Sequence, residues 1–199
     1  MSARLKKSFG FYTGMIYQGQ FLVNHWNVNL DLVTVSDDGD QHSIAYERMK
    51  YWVGRIMDDS ILIDQNDPSV DLISKINGRV LVLPDEPVDQ IVGIMLYLKL
   101  NAIMENRMVV AATEIWSTQG DQTSYIHVHG ENLGPNLGQD GWWSDPRPIY
   151  SMSRPRGTGN VVSLDRPAEW KDFGLGWQSN DADQSGNVVV ANFPRNEDK

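Results

Sequence analysis

Residues 27–35 (NVNLDLVTV) alternate strictly: Val28, Leu30 and Leu32 fall on one side of an extended chain, and Asn29 and Asp31 fall on the other. A strand of that kind buries one face and wets its opposite, so it predicts a sheet covered on a single side. Residues 8–17 (SFGFYTGMIY) read as the strand before it. Residues 107–116 (RMVVAATEIW) and 122–129 (QTSYIHVH) read as a later hairpin joined through Ser117-Thr118-Gln119-Gly120-Asp121. The covering layer follows a helical period. Ala45, Met49, Trp52, Val53 and Ile56 recur on one face behind Ser43 as N-cap, with Glu47, Arg48, Lys50 and Arg55 opposite. Pro87, preceded by Asp85 and Glu86, opens a second helix to about Met104. It is apolar nearly all round, as expected of a helix buried on more than one side. The segment 58–78 reads as a link, and residues 79–83 as a short strand or extended connector ending at Pro84. The resulting class is α+β: an antiparallel sheet in strand-strand-helix-helix-strand-strand order, with two helices on one face.

Residues 1–132 account for this domain. The remainder, 133–199, is an irregular arm that holds, by count, 6 of the 9 Pro, 8 of the 17 Gly and 4 of the 7 Trp. Glycine and proline at that density resist regular structure. Four tryptophans (Trp142, Trp143, Trp170 and Trp177) are nevertheless too apolar for a solvated tail, so the arm is expected to pack on its own domain or on a neighbouring protomer. Free sheet edges and the apolar second helix argue in the same direction, toward a homo-oligomer. A net charge of −9, with no cationic cluster longer than Lys6-Lys7, argues against a nucleic-acid or anionic-membrane partner. No apolar run approaches the ~20 residues of a membrane span, and no apolar stretch follows the basic start, so a cytoplasmic location is expected. The chain contains no cysteine, which removes disulfides, thiolate metal sites and cysteine nucleophiles.

Several strings, in order over roughly residues 8–128, resemble the 6-pyruvoyl tetrahydropterin synthase and 6-carboxytetrahydropterin synthase family, whose subunits have the tunnelling fold. Asn24-His25-Trp26-Asn27-Val28 stands where that family has a His-Gly-His-Asn-Tyr-like string. Met57-Asp58-Asp59 and Leu62 stand for its Leu-Asp-His and Leu-Asn, and Pro87-Val88-Asp89-Gln90-Ile91 for its Pro-Thr-x-Glu-Asn. Val110-Ala111-Ala112-Thr113-Glu114-Ile115 followed by Thr123-Ser124-Tyr125 is similar to its Val-x-Val-x-Glu-Thr and Ala-x-Tyr strands. The resemblance implies a tunnelling-fold-like domain and lyase chemistry on zinc held by three His, with a catalytic Cys, an Asp-His pair and a Glu that grips the pterin. Most of those parts are missing from this chain. The family zinc is therefore expected to be lost, with no other cofactor in its place, because such a site needs three protein ligands.

Glu114, with Tyr125 beside it, is the candidate ligand-binding pair: a carboxylate matches the paired N–H edge of a pterin- or purine-like ring. The alternative for Glu114 is a salt bridge to Arg79, Arg107 or a neighbour. Asp58 and Asp59 are candidate catalytic carboxylates, or else a solvated turn after the first helix. His127, His129 and Glu131 share a face of the last strand and, with His25, form an alternative metal set. Trp142-Trp143 suits stacking on a flat ligand or packing on a partner subunit. The spacing of Gly10, Gly14 and Gly19 does not make a phosphate loop, since no helix follows it. Three functions stay open: a lyase-type pterin or deazapurine synthase with a changed catalytic set, a binding module that keeps a flat-heterocycle pocket, and a non-catalytic assembly protein that oligomerises through its sheet and arm.

Overall fold

Gln18 and Gly19 both take positive φ (49° and 73°), the conformation of a tight two-residue hairpin turn. This turn folds β1 (Arg4–Tyr17) directly back on β2 (Gln20–Thr34), in antiparallel register from Tyr17 opposite Gln20 to Arg4 opposite Val33. In the computed structural model, which describes residues 3–76, 79–121, 123–133, 141–148 and 168–177, this long hairpin is the centre of a six-stranded sheet. β2 then pairs antiparallel with β5 (Met108–Ser117), and β5 with β6 (Tyr125–Val128). A bulge lies in β5 where the register passes from Ala112 to Val110. There the side chain of Asn101 accepts from the Val110 N–H at 2.9 Å, so the irregular backbone is satisfied from the helix above it.

On the other side of β1, the segment 58–78 is more than a link. It contains β3 (Ser60–Asp64) and a short helix α2 (Val70–Ile76), and β4 (Val80–Leu83) follows. β3 runs parallel to β1, and β4 parallel to β3, giving the order β4-β3-β1-β2-β5-β6. The α+β class holds, but the sheet is mixed. β3 escapes a search for alternation because both its faces are covered: Leu62 joins the main core, and Ile63 packs with Ile16 and Val80 under Val70 and Ile73 of α2.

Helices α1 (Gly39–Trp52) and α3 (Asp89–Met104) cover the opposite face. α1 begins four residues before Ser43. Asp38 is its cap: its carboxylate accepts from the amides of Asp40 (2.9 Å) and Gln41 (3.4 Å). Beyond Trp52 the helix widens into a single π-type turn, closed by the Asp58 N–H on the Val53 carbonyl at 2.9 Å. Phe11, Trp26, Val28, Leu30 and Leu32 from the strands meet Met49, Trp52, Met95 and Leu96 in the main core.

The described parts of the arm complete this layer from within the same chain. Trp142, Trp143 and Trp170 are all buried in the main core. Trp142 stacks on Trp52 with ring centroids 5.9 Å apart, and its indole N–H donates to the Val82 carbonyl at 2.8 Å. The apolar outer side of α3 is thus covered in cis. Trp142 and Trp143 are both buried within this chain's own core. The parts of the predicted arm at 134–140, 149–167 and 178–199 lie outside the described residues. Among the described residues, no helix is long and apolar enough to cross a membrane.

Candidate functional site

Among the described residues, nothing covers the face of the sheet away from α1 and α3 above β1, β2, β5 and β6, and the strand registers align one row of polar side chains across it. Ser8 lies opposite Asn29, and Asn29 opposite Glu114. The Ser8 hydroxyl donates to Asn29 Oδ1 at 2.7 Å, and Asn29 Nδ2 donates to Glu114 Oε2 at 2.9 Å. From the β6 side, the Ser124 hydroxyl donates to Glu114 Oε1 at 3.0 Å. Each carboxylate oxygen thus holds one donor and keeps lone-pair capacity free. Hydrogen bonds from Asn29 and then Ser124 hold the Glu114 carboxyl below its ordinary value, with a smaller contribution from the charge of Lys6. Asn29 and Ser124, rather than Arg79 or Arg107, hold the Glu114 carboxylate. Lys6, Ser8, Asn29, Asp31, Glu114 and Ile126 line a concavity of about 360 Å³.

Further along the same face the glycines of β1 have a definite job. A Cβ on Gly10 would stand 2.8 Å from His25 Nε2, and one on Gly14 would stand 2.7 Å from the Phe21 ring. The missing side chains make room for these two cross-strand rings. Tyr12, between the glycines, stacks on His25 at 4.4 Å between centroids. Tyr12 and Phe21 are 55% and 58% exposed, so this end of the face presents an aromatic surface.

The other residues singled out from the sequence do not gather round Glu114. Tyr125 lies opposite Ile115 and packs toward Gly93 of α3, so Glu114 and Tyr125 point to opposite faces of the sheet. Asp58 and Asp59 secure the end of the π-type turn to β1. The Asp58 carboxylate accepts from the Tyr12 N–H at 2.9 Å, and the Asp59 N–H donates to the Tyr12 carbonyl at 2.8 Å. His25 belongs to the open face, whereas His127 is buried on the α3 side, edge-on to Tyr97 at 4.5 Å. His129 bonds the Tyr97 hydroxyl through Nδ1 at 2.5 Å. The alternative metal set of His25, His127 and His129 is therefore split by the sheet. Among the described residues, no three His, Cys, Asp or Glu side chains lie close enough to hold a metal ion.

The zinc implied by the family resemblance does not fit the residues present. Within Asn24-His25-Trp26-Asn27, Trp26 is fully buried with its indole N–H on the Thr13 hydroxyl at 2.8 Å. Asn24 accepts from the Thr118 hydroxyl and the Gln119 N–H, both at 3.0 Å. These side chains tie β2 into the core and to the turn after β5; they do not converge on a common point as ligands must.

Two buried cations in the helical layer were not anticipated as a pair. Arg48 of α1 donates to the Leu175 and Ile103 carbonyls and, at 2.7 Å, to Glu105, while its guanidinium lies 3.6 Å from the centroid of Trp177. Lys99 of α3 donates to three carbonyls of the arm. The sequence held a signal for Lys99, a lone cation inside the apolar run 91–100; Arg48 had none, because its helical position reads as solvent-facing.

No protein-family model matches the sequence, and no curated protein matches it. Among solved structures, the chain is similar to an uncharacterised protein from Wolinella succinogenes at 12% identity and a TM-score of 0.45, over 65% of this chain and 99% of that one. It is similar to 6-pyruvoyltetrahydropterin synthase from Plasmodium vivax at 13% identity and TM-score 0.42, over 64% and 97% of the two chains. The corresponding enzyme from Plasmodium falciparum matches at 16% identity and TM-score 0.41, over 63% and 96%.

Proposed function

We propose that this protein is a binding module for a flat, N–H-bearing heterocycle of the pterin or guanine kind, held over Glu114, and that the lyase chemistry of the synthases it resembles is altered or absent. One observation carries the reading: an ionised carboxylate fixed by Asn29 and Ser124 beside a concavity of about 360 Å³ on an otherwise open sheet face. A volume of that order suits a bicyclic ring, and the free lone pairs of the carboxylate suit two adjacent N–H donors. Of the two residues that would be asked to do chemistry, Asp58 has its carboxylate on the Tyr12 N–H, and Asp59 is held through its main-chain N–H on the Tyr12 carbonyl. The test is calorimetric titration with pterin and guanine, with xanthine as a ring of different edge chemistry. Pterin or guanine binding should weaken by about 1.5–3 kcal/mol in Glu114→Gln. Absence of binding by either ring at millimolar concentration overturns the proposal.

A second reading rests on the exposed Tyr12, Phe21, Val23, Ile126 and Val128: an assembly protein that associates through this face and the sheet edges, as a homo-oligomer. Light scattering at micromolar concentration decides it; a monomer removes it.

A further inference from the structure

Lys99 is 1% exposed in the middle of α3, and among the described residues its ammonium donates to the arm. Nζ lies 2.7 Å from the Asp145 carbonyl, 2.9 Å from that of Arg147 and 3.2 Å from that of Trp142. All three acceptors are neutral. The one carboxylate of the segment, on Asp145, is taken by the Arg147 guanidinium, with Nε 3.0 Å from both oxygens. Among the described residues, the charged groups facing Lys99 are these two, acting in opposite senses, and α1 contributes the Trp52 ring at 5.9 Å. Closure of residues 141–148 over α3 therefore moves an amine out of water into a setting of neutral dipoles and indole rings.

We propose that docking of the 141–148 segment on the helical layer is proton-linked through Lys99, closing with release of a proton and holding more tightly as the pH rises. The physical reason is desolvation: carbonyl dipoles replace part of the hydration of an ammonium but do not supply an opposite charge. Burial lowers the Lys99 pKa to about 7 when the segment is docked. When it is undocked, the ordinary lysine value of about 10.4 applies. The docked state thus binds fewer protons between these limits. The docking equilibrium gains up to about tenfold per pH unit across that window and is level below it. Around neutrality the segment becomes a latch that tightens toward alkaline pH. Trp142 on Trp52, and the Trp170 N–H on the Pro146 carbonyl at 2.6 Å, hold it in either protonation state.

The test is amide hydrogen exchange of residues 141–148 in the full chain from pH 6.5 to 9, corrected for the intrinsic pH dependence of exchange. Protection should rise toward tenfold per pH unit above about pH 7 and become level in Lys99→Met, which keeps the side-chain length and removes the titrating group. Where Lys99→Met fails to fold, an NMR titration of the Lys99 ε-methylene in the unaltered protein decides the matter. A midpoint near neutrality supports the latch. A midpoint near the ordinary lysine value, protection independent of pH, or the same slope in Lys99→Met overturns it.

Discussion

On one side of β1 and β2, Phe11, Trp26 and Val28 disappear beneath α1, α3 and two returning pieces of the arm. On the other side of the same two strands, Tyr12, Phe21 and Val23 stand exposed. The strands themselves supply most of their apolar side chains to the helical side and a polar row at Ser8, Asn29 and Asp31 to the other, and the covering follows that division. Three arm tryptophans close the helical side, and the polar parts of that closure are bonded: the Trp142 and Trp170 indoles donate to carbonyls, and Lys99 and Arg48 collect carbonyls from the arm. Over Glu114 the other side carries a hydrogen-bonded polar row with no layer above it among the described residues. The hydrogen-bonding groups of the helical layer are taken up by the arm, whereas the Glu114 carboxylate on the other side keeps lone-pair capacity free.

That contrast can be broken most forcefully by truncation after Leu133. Removing Trp142, Trp143 and Trp170 forfeits burial on the order of 10 kcal/mol, comparable to the ~5–15 kcal/mol that stabilises a whole domain. The truncated chain should fail to give a cooperative thermal transition by circular dichroism. A transition within a few degrees of the full chain would mean that the arm is not part of the core.

A narrower cut is Trp142→Ala, expected to cost about 3–5 kcal/mol in urea unfolding, because the cavity beside Trp52 opens in a packed layer. Asn29→Ala sharpens the account of the open side at a smaller cost of about 1 kcal/mol. It should also raise the Glu114 pKa, read by carboxyl-carbon NMR. The folded-state pKa of Glu114 is lowered, so its stabilising contribution is present above the unfolded carboxylate value and is lost as the pH falls through the folded value. In Asn29→Ala that acid loss should begin at higher pH and amount to less. The smallest effect is expected for Tyr12→Ala and Phe21→Ala, within about 0.5 kcal/mol of the parent, as befits side chains that are more than half exposed. A cost rivalling that of Trp142→Ala would show that the open face is covered in solution.

Local pattern and composition settled a good deal. The alternation of Val28, Leu30 and Leu32 is a property of the chain itself, and it set β2, its buried face and the α+β class, because a side-chain period of two leaves a strand no other way to hide them. Glu114 stood out as a carboxylate in an apolar strand for the same reason. The parallel pairing of β3 and β4 was not legible: a short strand buried on both faces has no alternation, and its partners are chosen by segments far away in sequence. The separation of Glu114 from Tyr125, and of His25 from His127, was decided by strand register, since two residues in one pair of strands can share a row or lie on opposite faces. The partners that define Glu114, Asn29 and Ser124, and the carbonyls that enclose Lys99, come from other segments of the chain. Such contacts form only when the sheet and the arm are assembled, and hydrogen bonding and desolvation, which set the charge state of both groups, act through distance and exposure that sequence does not contain.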